Sequence, residues 1–131
     1  AQTPNSIAIE YRSDQLTYQE INHQANQLAK YLIQDFNVSN GDVVSILLPR
    51  SINSVIAIMG ILKAGAAYVP IDTEYPDTRI HYMLENSASK CVITYPYLAK
   101  KVKNTEIVEW DSMDLTREGE EEKKDFQNFF Q

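Results

Sequence analysis

The chain has 131 residues, enough for one domain or one large subdomain. Its 44% apolar and 23% charged residues are ordinary for a soluble globular protein, and its longest apolar run, Val55–Leu62, is far short of the roughly 18 residues of a membrane span. The net charge is −6, nine of the eighteen acids lie between Glu106 and Asp125, and the bases are scattered apart from Lys100, Lys101 and Lys103, which excludes a nucleic-acid site.

The first predicted element is a strand, Ile7–Tyr11, where apolar and polar residues alternate. A turn at Arg12–Gln15 leads into a short return strand at Gln15 and Leu16. Thr17-Tyr-Gln-Glu20 has the spacing of a capping box, in which the Thr17 hydroxyl and the Glu20 carboxylate each accept from the other's backbone N–H. Ile21, Ala25, Leu28, Ala29 and Leu32 then recur at helical spacing, predicting an amphipathic helix from Tyr18 to Asp35 that ends near Asn37.

Val43–Leu48 is almost wholly apolar, the pattern of a strand buried on both faces, and Pro49 stops it. Ser51 can cap a helix from Ile52 to Ala64. That helix is apolar nearly all round, so it is expected to be covered on more than one side, between layers or at a contact. Gly65 suits the left-handed position past its end. Ala67–Ile71 reads as a short strand, and Pro70 marks it as a sheet edge or strand end.

After the loop Asp72–Pro76, Ile80, Met83 and Leu84 give the apolar face of a helix that runs to Asn86 and starts with Asp77 in its first turn. Lys90–Thr94 reads as a strand, followed by a short helix around Tyr97–Lys101 and a strand around Ile107–Trp110. Strands alternating with helices predict an α/β fold, a layered and largely parallel sheet flanked by helices. Residues 1–110 form this part. Residues 111–131 read as an acidic, charge-rich tail in which Arg117–Lys124 is followed by Phe126, Phe129 and Phe130 at helical spacing.

Few residues offer chemistry. Gly41, Gly60, Gly65 and Gly119 form no phosphate-cradling loop, neither G-x-G-x-x-G nor G-x-x-x-x-G-K-[ST]. His23 and His81 stand without a second His or Cys at ligand spacing and are expected on the surface. Cys91 is the single cysteine, which rules out an internal disulfide, and it is expected to be a buried inert thiol. Asp72 and Arg79 flank a loop–helix junction and suit a local ion pair or cap. Ser51 lacks the G-x-S-x-G frame of a nucleophile elbow and reads as a helix cap. No residue is assigned to catalysis, to a cofactor or to a metal. No secretory signal is visible, so the chain is expected in the cytoplasm unless its natural start lies upstream.

Two segments carry a family resemblance. Leu16-Thr-Tyr-Gln-Glu-Ile21 is similar to the first core motif of amino-acid adenylation domains of nonribosomal peptide synthetases. Leu62-Lys-Ala-Gly-Ala-Ala-Tyr-Val-Pro-Ile-Asp72 resembles their second core motif at every position. Asn26–Ala29, Glu74–Pro76, Arg79 and Tyr82–Asn86 extend the likeness, which covers residues 3–94.

The resemblance implies the N-terminal part of the large subdomain of an adenylate-forming enzyme. A complete domain would activate an amino acid with ATP and Mg and load the aminoacyl group onto a carrier protein. Both matched motifs are structural in that family, and Lys63 lies in the wrong motif to be its catalytic lysine. The Ser/Thr/Gly-rich ATP loop is due at about the end of this chain. The fragment alone is therefore expected to be inactive.

The remainder of the domain and a neighbouring condensation domain are the implied partners. A naturally shortened, non-catalytic scaffold that docks such a domain stays open as an alternative. So does an acyl-CoA or aryl-acid ligase of the same superfamily.

Overall fold

Short β-branched runs between amphipathic stretches fold as strands and helices in turn. The computed structural model describes residues 7–11 and 14–115, with the backbone alone for 7–11, 14 and 15. Antiparallel β1 (Ile7–Tyr11) and β2 (Asp14–Thr17) lead into α1 (Tyr18–Phe36). Then come β3 (Val43–Leu47), α2 (Ile52–Lys63), β4 (Ala67–Pro70), α3 (Asp77–Asn86), β5 (Cys91–Thr94) and β6 (Glu106–Glu109). The short helix expected near Tyr97 is a 3₁₀ helix, Pro96–Lys101, with a second at Trp110–Ser112. The charge run and the three phenylalanines beyond it lie outside the described residues.

Local chemistry sets the ends of α1 and α2. The Thr17 N–H donates to Glu20 Oε1 at 3.0 Å and the Glu20 N–H to Thr17 Oγ1 at 3.1 Å. Asn37 ends α1 in the left-handed region at φ 55°, where asparagine is among the few residues at ease. Its N–H and that of Val38 both turn back to the Leu32 carbonyl. Ser51 and Ser54 cap α2 reciprocally: the Ser51 N–H donates to Ser54 Oγ at 3.1 Å and the Ser54 N–H to Ser51 Oγ at 3.4 Å.

Four parallel strands form the main sheet in the order β4-β3-β5-β6. The chain crosses from β3 to the β4 edge through α2, then back past β3 to β5 through α3. Right-handed crossovers in opposite directions place their helices on opposite faces. The packing agrees. Val44 and Ile46 of β3, with Cys91 and Ile93 of β5, enter a core with α1 and α2. Leu47 and Val92, one residue out of step, enter a second core with Ile80 and Leu84 of α3. Trp110, Met113 and Leu115 join the first core, and the Tyr31 hydroxyl reaches the Ser112 carbonyl at 3.3 Å.

Two features limit how the layers meet. Ala67 and Ile71 donate to Asp42 and Ile46 of the β3 side at 2.9 and 2.8 Å, so alternation turns Pro70 to the open edge. A residue without an N–H there blunts the edge against strand addition. Gly60 lets α1 and α2 close up: a Cβ at this position would stand 2.7 Å from Leu28 Cδ2 and 3.0 Å from Leu28 Cβ. Leu28 is fully buried and has nowhere to go. Among the described residues, no helix is long and apolar enough to cross a membrane.

Gly60→Ala is expected to lower stability by about 1–3 kcal/mol through overpacking, despite the better helix propensity of alanine. The urea unfolding midpoint measures this. An unchanged or raised midpoint would show that the helices have room to spare.

Candidate functional site

Strand order reverses between β3 and β5, and in open α/β sheets ligands favour the crevice past the carboxyl ends of the strands at such a point. Here the crevice is tied by protein groups. The fully buried Thr94 hydroxyl donates to the Leu47 carbonyl at 2.7 Å. Just beyond, Asn53 Nδ2 donates to the Tyr95 hydroxyl at 2.8 Å, joining the first turn of α2 to the end of β5. The Tyr95 ring stacks on Tyr97, with centroids 5.9 Å apart and planes at 15°. Arg50, three residues past the end of β3, is exposed, and Tyr97 is 63% exposed.

The start of α2 is already occupied by its own residues. Ser51 Oγ accepts from Ser54 N–H and donates to the Pro49 carbonyl at 3.1 Å, as a cap rather than a nucleophile. The arrangement can stiffen two loops and offer an aromatic face. It pairs no nucleophile with a base. Among the described residues there is no group of three or more His, Cys, Asp or Glu able to hold a metal ion.

The other candidate residues fall apart in space and into structural roles. Asp72 Oδ1 accepts from the Glu74 N–H at 2.8 Å and holds the turn after β4. Arg79 lies over the Tyr75 ring, its Cζ 4.6 Å from the centroid. The ion pair at this junction is instead Lys101 with Asp77, at 3.1 Å. Cys91 is fully buried, and burial, with Glu106 adding to it, pushes its thiol up to about 12. This suits the inert thiol expected from the sequence.

Lys63 is half-buried, and desolvation lowers its pKa. The histidines correct the surface expectation. His23 and His81 are both half-buried, and the Nε2 of each is shut off from solvent without a hydrogen-bond partner. Polar neighbours in sequence had suggested an exposed face for both.

Sequence reasoning missed the Asn53–Tyr95 link. The two residues are 42 positions apart, and only the parallel pairing of β3 with β5 brings them together.

The profile described as "AMP-binding enzyme" matches residues 1–128. A mycosubtilin synthase polypeptide of Bacillus subtilis is 46% identical over 100 residues, 76% of this chain and 4% of that protein. Tyrocidine synthase 1 of Brevibacillus parabrevis is 44% identical over 99 residues, 76% of this chain and 9% of that protein. The chain thus spans a small fraction of these relatives. The solved nonribosomal peptide synthetase FmoA3 superimposes with a TM-score of 0.76 at 27% identity, over 86% of this chain and 13% of that one. An O-succinylbenzoate coenzyme A synthetase of Bacillus subtilis superimposes with a TM-score of 0.77 at 24% identity, over 89% and 30%, which bears on the fold alone.

The Cys91 environment gives a signed pH dependence. The unfolded thiol ionises near its ordinary 9.0 and the folded one near 12, so the folded state holds the proton longer. Its contribution is complete below about pH 9 and is lost as pH rises toward 12. Cys91→Ala should flatten part of the alkaline fall in stability, measured as unfolding midpoints from pH 8 to 11. An equal fall in both proteins would place the thiol in a more open setting.

Proposed function

The chain belongs to the AMP-binding enzyme family, and from this we propose that it is the N-terminal part of an amino-acid adenylation domain of a nonribosomal peptide synthetase. The complete domain activates an amino acid with ATP to an aminoacyl-adenylate and passes it to a carrier protein. The carrying observation is the match over residues 1–128 together with identities above 40% to peptide-antibiotic synthases. A cytoplasmic setting, where ATP is plentiful, suits this role.

In this reading the segment supplies scaffold and the remainder supplies chemistry. Leu62–Asp72, the closest match to the family's motifs, is here the end of α2, a reversal at Gly65 and the strand β4. ATP and Mg belong to the complete domain, and the 131 residues alone are inactive. A second reading, a non-catalytic scaffold that docks a condensation domain, draws on the apolar outer side of α2, where Leu62 is 55% exposed.

ATP–pyrophosphate exchange tests the assignment. The 131-residue chain should stay at background with every amino acid, whereas the full-length protein containing it should exchange with one amino acid of a panel. Exchange by the short chain would overturn its inactivity. A full-length protein silent with all amino acids but active with an aryl or acyl acid would move it to another branch of the superfamily.

A further inference from the structure

Asn40 is the one asparagine in the sequence that a glycine follows. The pair sits at the centre of a turn. The Asp42 N–H donates back to the Ser39 carbonyl at 3.0 Å, and Gly41 takes φ 92°. This is the type II pattern, which glycine serves without steric cost. Both residues are exposed, and a Cβ at Gly41 would meet nothing within 4 Å, so the pair opens onto solvent. Asn22, Asn26, Asn53 and Asn86 are instead held in helices, and each precedes a residue with a side chain.

An Asn-Gly pair has a reaction of its own, one reason asparagine is thermolabile. The glycine nitrogen gives up its proton and attacks the side-chain carbonyl carbon of the asparagine. The new C–N bond closes a succinimide ring, and the side-chain nitrogen leaves as ammonia with the released proton. Water then opens the ring at either carbonyl. One opening gives aspartate, the other isoaspartate, with the main chain rerouted through the side chain. Glycine favours closure because it has no Cβ to crowd the ring.

In the folded protein both reacting groups rest on the turn after α2. The Gly41 N–H is held by the Gly65 carbonyl at 3.1 Å, so the proton that must leave is engaged. The Asn40 side chain lies against Gly65, where a Cβ would stand 3.0 Å from Asn40 Oδ1. We propose that Asn40 is a deamidation site, with water as co-reactant, and that the Gly41–Gly65 bond is its gate. Ring closure proceeds only in molecules where this clasp has opened.

The product also changes the structure. Isoaspartate adds a methylene to the main chain and a carboxylate two residues from Asp42. The Asp42 carbonyl accepts from the Ala67 N–H at 2.9 Å and aligns β4 on β3. Deamidation is irreversible, so each opening that leads to ring closure removes a molecule with a fixed β3–β4 register. This chemistry is independent of the reaction that the complete protein carries out.

Peptide mapping that separates aspartate from isoaspartate tests this on the full-length protein, aged at mildly alkaline pH. In the urea-unfolded chain Asn40 should convert faster than any other asparagine. In the folded protein it should convert at least about tenfold more slowly than in urea, yet ahead of Asn22, Asn26, Asn53 and Asn86. Hydrogen exchange of the Gly41 amide needs the same opening, so its protection should match that ratio within severalfold. Aged protein should lose urea stability in step with its isoaspartate content, whereas Asn40→Gln aged equally should keep its midpoint.

An Asn40 that does not convert in the unfolded chain, or that a helical asparagine overtakes in the folded protein, would overturn the site. Equal rates in the folded and unfolded protein, or a ratio far from the Gly41 protection, would overturn the gate. Isoaspartate at position 40 with an unchanged midpoint would overturn its effect on the strands.

Discussion

The strand β3 has no side that can face water. Val44, Ser45, Ile46 and Leu47 are all buried, and strand geometry sends neighbours to opposite faces. Burial of both faces therefore requires a layer above and a layer below. The helices α1 and α2 provide one, and α3 with the Pro96–Lys101 turn provides the other. Each fully buried Leu or Ile contributes roughly 1.5–3 kcal/mol, so a strand that feeds two cores holds far more of the stability than its length suggests. Ser45 is the polar exception, and its hydroxyl is satisfied by Ser89, which bonds in turn to Ser87.

From this constraint the family motifs acquire a physical meaning. Gly65 takes φ 84°, and a Cβ there would also stand 3.0 Å from Asn40 Oδ1. Its carbonyl accepts from the Gly41 N–H at 3.1 Å, and the Asp42 carbonyl accepts from Ala67 N–H at 2.9 Å. The turn after α2 is thus bonded to the turn before β3, which fixes where β4 starts and its register against β3. The motif is an alignment device for two strands. Thr17 and Glu20 do the same for the start of α1. The matched residues do geometric work here, the structural role that the resemblance implied for both motifs.

Much of the fold was legible in the sequence because its signals are local. The capping box, the apolar run at Val43, the helical spacing in α1 and the edge proline each act within a few residues. Strand order was not legible, because nothing local says that β5 returns to the far side of β3. The Asn53–Tyr95 bond and the Ser45–Ser89 bond follow from that order and were hidden with it. The histidines misled for a related reason. A polar stretch of helix predicts an outward face, but His23 and His81 are half-buried, with the Nε2 of each shut off from solvent. The candidate crevice was invisible for the same cause as the topology that creates it.

The central claim is that these residues are architecture for a reaction carried by the rest of the protein. Splitting the full-length protein after Gln131 and recombining the two parts tests it most directly, with amino-acid-dependent ATP–pyrophosphate exchange as the readout. The account predicts that each part alone is silent and that mixing restores exchange. Exchange by the second part alone, at the rate of the uncut protein, would contradict it, because the scaffold would then be dispensable.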